Sequence, residues 1–260
     1  MKKIYLVILV LFIAGAATAQ QKNEINDTDK NLKWVAQRGW HISLTAGCNI
    51  GGTSPLPLPR EIRSINSYNP GLNLSLEGSI QKTFEQSRWG VKMGVRFERK
   101  GMTTKADTKN YHMEAWNTDG SGKVVGAWTG KVKTKVNNSY LTIPLLATYM
   151  LNKRITFAAG PYVSYLLEGE FSGQAYDGYI RDQNPTGEYA DVTRAEYDFS
   201  SDILKWQWGV QAGCEYRAYR HLAIFANLHW GANSIFPDDF GSVTFALYPI
   251  YGTLGFTYLF

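Results

Sequence analysis

Six charged residues share the face of their predicted strands that is opposite the apolar face. They are Glu77, Lys92, Arg96, Glu98, Lys100 and Glu215. Side chains alternate between the two faces of a strand, so charges spaced by two or four residues face the same way. If these strands close into a barrel, the three charges of each sign lie together in its narrow interior. They would then pair, because an unpaired buried charge is costly. We therefore predict a lumen charge network, with Glu77 roughly opposite Lys92.

The histidines and serines give little support for catalysis. A nucleophilic mechanism needs a nucleophile beside a histidine and an orienting carboxylate. His41 and Ser43 share a strand face, but no carboxylate is placed beside them, and the other histidines are scattered at positions 112, 221 and 229. Neither a Gly-rich phosphate loop nor Cys/His metal spacing occurs. We predict no enzymatic activity, no cofactor and no metal; a lipid-modifying membrane enzyme is the remote alternative.

Eight segments of the sequence alternate between apolar and polar residues. In the second, Leu72, Leu74 and Leu76 alternate with polar neighbours such as Asn73 and Ser75. The segments are 40–47, 72–81, 89–98, 140–150, 155–165, 206–216, 222–231 and 253–260. Their length suits tilted membrane-crossing strands of about 9–11 residues. Strands in lipid must close, since an open edge leaves backbone groups unpaired, so we predict an all-β fold: an eight-stranded antiparallel transmembrane β-barrel.

The first residues resemble a secretory signal. Lys2 and Lys3 precede an apolar stretch over 4–17, and small residues at Ala17 and Ala19 suit cleavage before Gln20. A membrane anchor would need about 20 apolar residues. We predict a signal peptide over 1–19, a flexible periplasmic leader over 20–37 and a barrel domain over 38–260.

The last strand has a pattern typical of outer-membrane barrels. Phe256, Tyr258 and Phe260 fall on one face, with threonine and glycine between them. We interpret these three residues as a C-terminal assembly signal for the barrel-assembly machinery. A soluble β-sandwich could show the same alternation. The signal peptide, the terminal Phe and the spacing of the connections together favour the barrel.

Connections between the segments alternate in length. Those at 84–87, 152–154 and 218–221 are short, whereas 101–137 and 168–203 are long. Short periplasmic turns and long external loops are the expected asymmetry, which puts both termini in the periplasm and the protein in the bacterial outer membrane. An eight-stranded interior has room only for side chains, so we predict a plugged lumen; a small-solute pore is an alternative.

The two longest predicted loops differ in charge. Residues 101–137 carry six positive and three negative charges, and 168–203 carry two and nine. They could attract each other and cap the barrel, or serve in recognition or adhesion. The net charge of +5 does not imply nucleic acid as a partner. Exposed lysines are expected to meet outer-membrane lipid and lipopolysaccharide, which are anionic.

Two motifs resemble a known family. The run YLTIPLL over 140–146, followed by GPYVSYLL over 160–167, is similar to the PorT-like outer-membrane β-barrel family, which also carries a porin-family description. The resemblance spans about residues 38–260. It implies a structural or protein secretion and assembly role, with secretion-complex proteins as partners. It brings no catalytic motif.

Overall fold

The computed structural model describes residues 38–117, 123–181, 186–240, 243 and 245–260. Apart from one short 3-10 turn at Ser200–Asp202, its elements are strands. They are β1 (Trp40–Pro55), β2 (Ile62–Asn69), β3 (Asn73–Thr83), β4 (Trp89–Asn117), β5 (Lys123–Met150), β6 (Ile155–Glu168), β7 (Phe171–Arg181), β8 (Tyr189–Asp198), β9 (Trp206–Arg217), β10 (Leu222–Gly231) and β11 (Leu247–Leu259). In this part of the chain, no helix is long and apolar enough to span a membrane. The predicted signal peptide and leader lie outside the described residues.

Eight of the strands close into a ring. The order is β1, β3, β4, β5, β6, β9, β10 and β11, and β11 returns to β1. β1 and β11 pair antiparallel from Ser43 opposite Leu259 to Pro55 opposite Leu247. The prediction of an eight-stranded antiparallel barrel is therefore confirmed. Tight connections join β3 to β4, β5 to β6 and β9 to β10 at one end, which we call the turn end.

The ring is polar inside and apolar outside. On β3, Leu74 is 60% exposed, whereas its neighbours Ser75 and Glu77 are buried. The same inversion holds on β11, where Leu254 and Phe256 are exposed and Thr253 and Thr257 are buried. A soluble sandwich would bury its apolar residues, so this pattern excludes that alternative.

At the opposite end, which we call the extended end, the sheet continues beyond the ring. β4 and β5 stay paired far past it, to Trp116 opposite Lys123. β7 pairs with β5 over Val136 to Ala127, and β8 pairs with β7. The prediction that 101–137 and 168–203 are loops was therefore wrong for most of their described residues, which are in strands. Alternation of Val132 and Val136 with lysines was the overlooked signal, because it gives β5 one apolar face and one charged face.

The extended end has an apolar core of its own. Trp128 is only 1% exposed and belongs to a cluster of buried apolar residues from β5, β6, β7, β8 and β11 and from the segments before β9 and β11. The buried members are Trp128, Val132, Val136, Tyr140, Leu166, Phe171, Ala175, Ile180, Val192, Ala195, Tyr197, Ile203, Ile235, Phe236 and Leu247. Burial of these side chains stabilises the extension, at about 1.5–3 kcal/mol for each large residue.

β2 and β3 occupy the same edge of β4 in succession. β3 pairs with residues 90–98 of β4, and β2 pairs with residues 103–108. Pro70 and Gly71 lie between β2 and β3 and separate the two strands. Gly71 has a φ of 67°, a left-handed conformation that glycine adopts without strain. The pairings of the described strands join β2 to β4 but not to β1, although β1 and β2 follow each other in sequence. We call this gap between residues 51–55 and 62–69 the β1–β2 seam.

Candidate functional site

Five of the six predicted lumen charges form a chain of ion pairs. The Glu77 carboxylate lies 3.3 Å from the Arg96 guanidinium and 3.7 Å from the Lys92 ammonium. Glu98 lies 3.4 Å from Arg96 and 3.0 Å from Lys100. The predicted register was wrong, since Glu77 opposes Arg96 across the ladder. Lys92 reaches Glu77 diagonally.

Glu98 is the centre of this network. Its side chain has no solvent exposure, and its Oε1 accepts a 2.7 Å hydrogen bond from the Thr142 hydroxyl. The Arg96 guanidinium extends the contacts across the interior by donating to Gln211 Oε1 on β9 at 2.9 Å. A carboxylate enclosed in this way needs its partners, because their loss would leave an uncompensated buried charge.

Glu215 lies apart from the chain of ion pairs that the structure records. It is half-buried on β9, opposite Phe225 of β10 and Thr156 of β6. With Glu77 and Lys92 it lines a small cavity of about 30 Å³ near the turn end. Its inward direction agrees with the sequence pattern, but the structure does not bring it within ion-pair distance of the described members of the chain.

Aromatic rings surround the last cation of the network. The Lys100 ammonium lies 5.5 Å from the ring centroid of Tyr140, 5.2 Å from that of Tyr162 and 5.8 Å from that of Tyr251. Each contact is within the range of cation–π attraction. The three rings and Lys100 form a cluster between the polar interior and the extended end, and Tyr251 and Lys100 are both buried.

Neutral side chains complete the polar interior. His229 is fully buried, and its Nε2 lies 3.0 Å from the Thr253 hydroxyl, which donates to Asn49 Oδ1 at 2.5 Å. The Ser43 hydroxyl, the candidate nucleophile, lies 2.8 Å from that of Ser79. No cluster of three His, Cys, Asp or Glu suited to a metal occurs among the residues described.

A larger cavity occupies the extended end. Its volume is about 490 Å³, and its lining includes Met102, Tyr111, Phe171, Phe199 and Phe245. Among the residues that the structure describes, all of those lining it are uncharged. Sequence analysis missed this cavity. The signal was present, because residues 102, 104, 106 and 108 continue the inward parity of Glu98 and Lys100 with uncharged side chains.

The cavity reaches the surface at the β1–β2 seam. Gly51 to Pro55 line it from β1, and Ile62, Ile65 and Tyr68 line it from β2. Ile65 is 58% exposed and Tyr68 is 47% exposed, so both also face outward. The Tyr68 hydroxyl donates to the Gly51 carbonyl oxygen at 2.7 Å, bridging the two strands without a backbone ladder.

The residues of the predicted C-terminal assembly signal lie on the outer surface. Phe256, Tyr258 and Phe260 are all exposed. Phe256 stands opposite Ala46 and Ile224, while the rings of Tyr258 and Phe260 are 5.0 Å apart. They form an exposed aromatic row at the end of β11 and the residue that follows it.

A closed strand ring that is apolar outside and polar inside defines an integral membrane β-barrel. A comparison with protein families then gives the particular class. The outer membrane protein beta-barrel domain family matches residues 18–237. The chain belongs to this family, and the protein is a bacterial outer-membrane β-barrel.

Solved structures were also compared. Two structures of Ail, the attachment invasion locus protein of Yersinia pestis, are 10% and 11% identical with a TM-score of 0.36; the first holds the heparin analogue sucrose octasulfate. Neisserial surface protein A is 8% identical with a TM-score of 0.30. Each match covers 85% of this chain and 97% of the other. A comparison with curated proteins gave no match.

Proposed function

We propose that the protein is a closed outer-membrane barrel with a structural or protein secretion and assembly role, exercised through its extended end. The observation that carries this proposal is the enclosed Arg96–Glu98–Lys100 chain beneath an extension with its own apolar core. The PorT-like motifs at 140–146 and 160–167 support the secretion and assembly role.

The closed lumen follows from size and charge. An eight-stranded barrel has an interior that side chains can fill. In this barrel the filling groups are long and charged and are held by partners on several strands, such as Thr142 of β5 and Gln211 of β9. Moving such groups aside for a solute would separate buried ion pairs, which is energetically costly.

We infer that the extended end is external and that both termini are periplasmic. Short turns at one end and extended structure at the other support this orientation. Exposed lysines of β5 pair with acids beside them, with Lys131 to Asp177 at 3.1 Å and Lys135 to Glu170 at 2.6 Å. The oppositely charged segments 101–137 and 168–203 are thus joined by ion pairs between neighbouring strands. The ordered surface that results is suited to a protein partner or to lipopolysaccharide.

We also propose that Phe256, Tyr258 and Phe260 are read by the barrel-assembly machinery. Their exposure on the terminal strand leaves them accessible before the ring closes. Replacing all three by alanine should leave the chain unassembled in the periplasm. The same triple change in Ile42, Leu44 and Ile50, which are outward residues of β1, is the matched control and should assemble.

Planar-bilayer recording and affinity purification test the proposed function. The purified barrel should show no steady conductance, and the tagged protein should recover a reproducible partner complex from detergent-solubilised outer membranes. Steady nanosiemens-scale steps from the wild type would contradict the closed lumen. Recovery of the barrel alone, even after crosslinking in cells, would contradict the assembly role.

A further inference from the structure

We propose that the 490 Å³ cavity binds an acyl chain of an outer-membrane lipid, which reaches it sideways through the β1–β2 seam. This inference goes beyond the assembly role, because it assigns a small-molecule site and an access route. The cavity, the seam and the height of the seam each support it.

The lining of the cavity matches a hydrocarbon chain. Its volume falls in the range of about 300–1,000 Å³ found for ligand pockets. Aliphatic and aromatic side chains provide most of the lining, and the rings of Tyr111 and Phe245 pack 5.7 Å apart within it. An uncharged wall favours an apolar occupant, since a charged group would be desolvated there without a partner.

The cavity is closed toward the barrel interior. Met102 contributes to its lining, and two residues earlier on the same face Lys100 is held by Glu98 and three tyrosine rings. Tyr251 at this level is 1% exposed. A chain entering the cavity would therefore stop above the charge network. The seam then serves for both access and release.

The lower end of the β1–β2 seam is level with Trp230, an aromatic residue that faces outward. Ile250, which lines the cavity, stands opposite Gly52 of β1 and Trp230 of β10. Trp230 is exposed on the outer surface near the end of its strand, where aromatic rings typically mark the membrane interface. The lower end of the seam is therefore at lipid height. A chain from the adjacent leaflet can reach it without passing through water.

The segment that borders the seam is basic and apolar. Leu58 lines the cavity and is exposed, while Arg60 and Arg63 are exposed on either side of Glu61. Guanidinium groups bind phosphate in a bidentate manner. They can thus hold the phosphate of an anionic lipid at the mouth while its acyl chain lies in the cavity.

Photocrosslinking in vesicles tests this proposal. Wild-type barrel would be reconstituted in phosphatidylglycerol vesicles that carry a small fraction of the same lipid with a diazirine at the chain end. Crosslinked peptides should include the inward residues of β4 near Met102 and the segment around Phe245. Crosslinks confined to outward residues such as Leu74 and Phe97 would overturn the proposal.

Two variants of β4 form a matched pair. Ala106→Trp adds an indole inside the cavity, whereas Lys105→Trp adds one on the exposed outer face of the adjacent residue. Ala106→Trp should reduce cavity crosslinks at least tenfold, and Lys105→Trp should leave them unchanged. Heat-modifiable migration in gels verifies that each variant is folded. Equal cavity labelling in both folded variants would refute the site.

A water-soluble probe distinguishes the source of the chain. Dansyl-labelled undecanoic acid added to detergent-solubilised barrel reports binding from solution by its fluorescence. We expect weak binding, with at least tenfold better occupancy when the chain is delivered by a bilayer lipid. If the soluble acid binds the solubilised barrel and the bilayer lipid gives no cavity crosslinks, lateral access from the membrane is wrong.

Discussion

Lys100 Nζ and Glu98 Oε1 lie 3.0 Å apart, two residues apart on one strand, with both side chains buried. Adjacent inward positions on β4 thus supply both partners of an ion pair. The pair is local, but its surroundings come from β5, β6 and β11 through the hydroxyl of Thr142 and the rings of Tyr162 and Tyr251. Its stability therefore depends on closure of the ring.

Glu98→Gln should destabilise the barrel strongly. The change leaves Arg96 and Lys100 without their shared carboxylate, and breaking a buried pair typically costs about 3–5 kcal/mol. Urea unfolding in lipid vesicles measures this loss. Glu215→Gln is the matched control and should change stability by less than about 1 kcal/mol. Glu215 is half-buried and lies apart from the ion pairs, so its carboxylate should contribute as little to stability as a surface carboxylate does. Equal effects would refute the central role of Glu98.

Leu74→Arg and Ser75→Arg should differ in mechanism. Leu74 faces outward, and an arginine facing lipid near the midplane costs about 2–4 kcal/mol. Ser75 faces the filled interior, so an arginine there is penalised by crowding. Folding into vesicles of different thickness separates the two. Only the Leu74→Arg cost should vary with thickness, and the same dependence at both positions would contradict the assignment of faces.

Trp128→Ala should loosen the extended end and spare the ring. Loss of a fully buried Trp typically costs about 3–5 kcal/mol, and this residue packs within the apolar core of the extension. Limited proteolysis should then cut within β7 and β8 while heat-modifiable migration persists. Val125→Ala, at a residue that is 50% exposed, should remain resistant. Simultaneous loss of ring and extension would show that the two unfold as one unit.

The Lys135–Glu170 pair should make a small contribution to stability that depends on pH. The hydrogen bond from Lys135 lowers the pKa of the Glu170 carboxyl below its ordinary value. Its stabilisation is therefore complete above that value and is lost as the pH falls through the lowered pKa. The pair is exposed, so the contribution is about 0.2–1 kcal/mol.

Unfolding of the wild type and of Glu170→Gln measures this effect. The difference in free energy between them should be constant near neutral pH and should vanish in acid. If the difference instead grew as the pH fell, the ion pair would not be the source of the stabilisation. Glu168→Gln, on the adjacent strand end, provides a comparison without this ion pair.

The faces of the strands could be predicted from the sequence because they depend only on local parity. Leu74 faces outward and Glu77 inward because they are three residues apart, and an odd spacing places two side chains of a strand on opposite faces. This holds whichever strand lies beside them. The same rule correctly put Arg96 and Glu98 inside. It also applies to Lys131, Val132 and Lys133, but alternation does not indicate whether a partner strand is present, so the sequence alone predicts a solvated loop there.

Sequence alone therefore determined the fold class, the count of ring strands and the inward direction of the charges. The tertiary structure decided which residues meet. Glu77 opposes Arg96 because register is set by the whole β3–β4 ladder, and Glu215 stays apart because β9 is held between β6 and β10. The cavity depends on β2 joining β4 instead of β1. That choice rests on hydrogen bonds between segments distant in sequence, which no local pattern encodes.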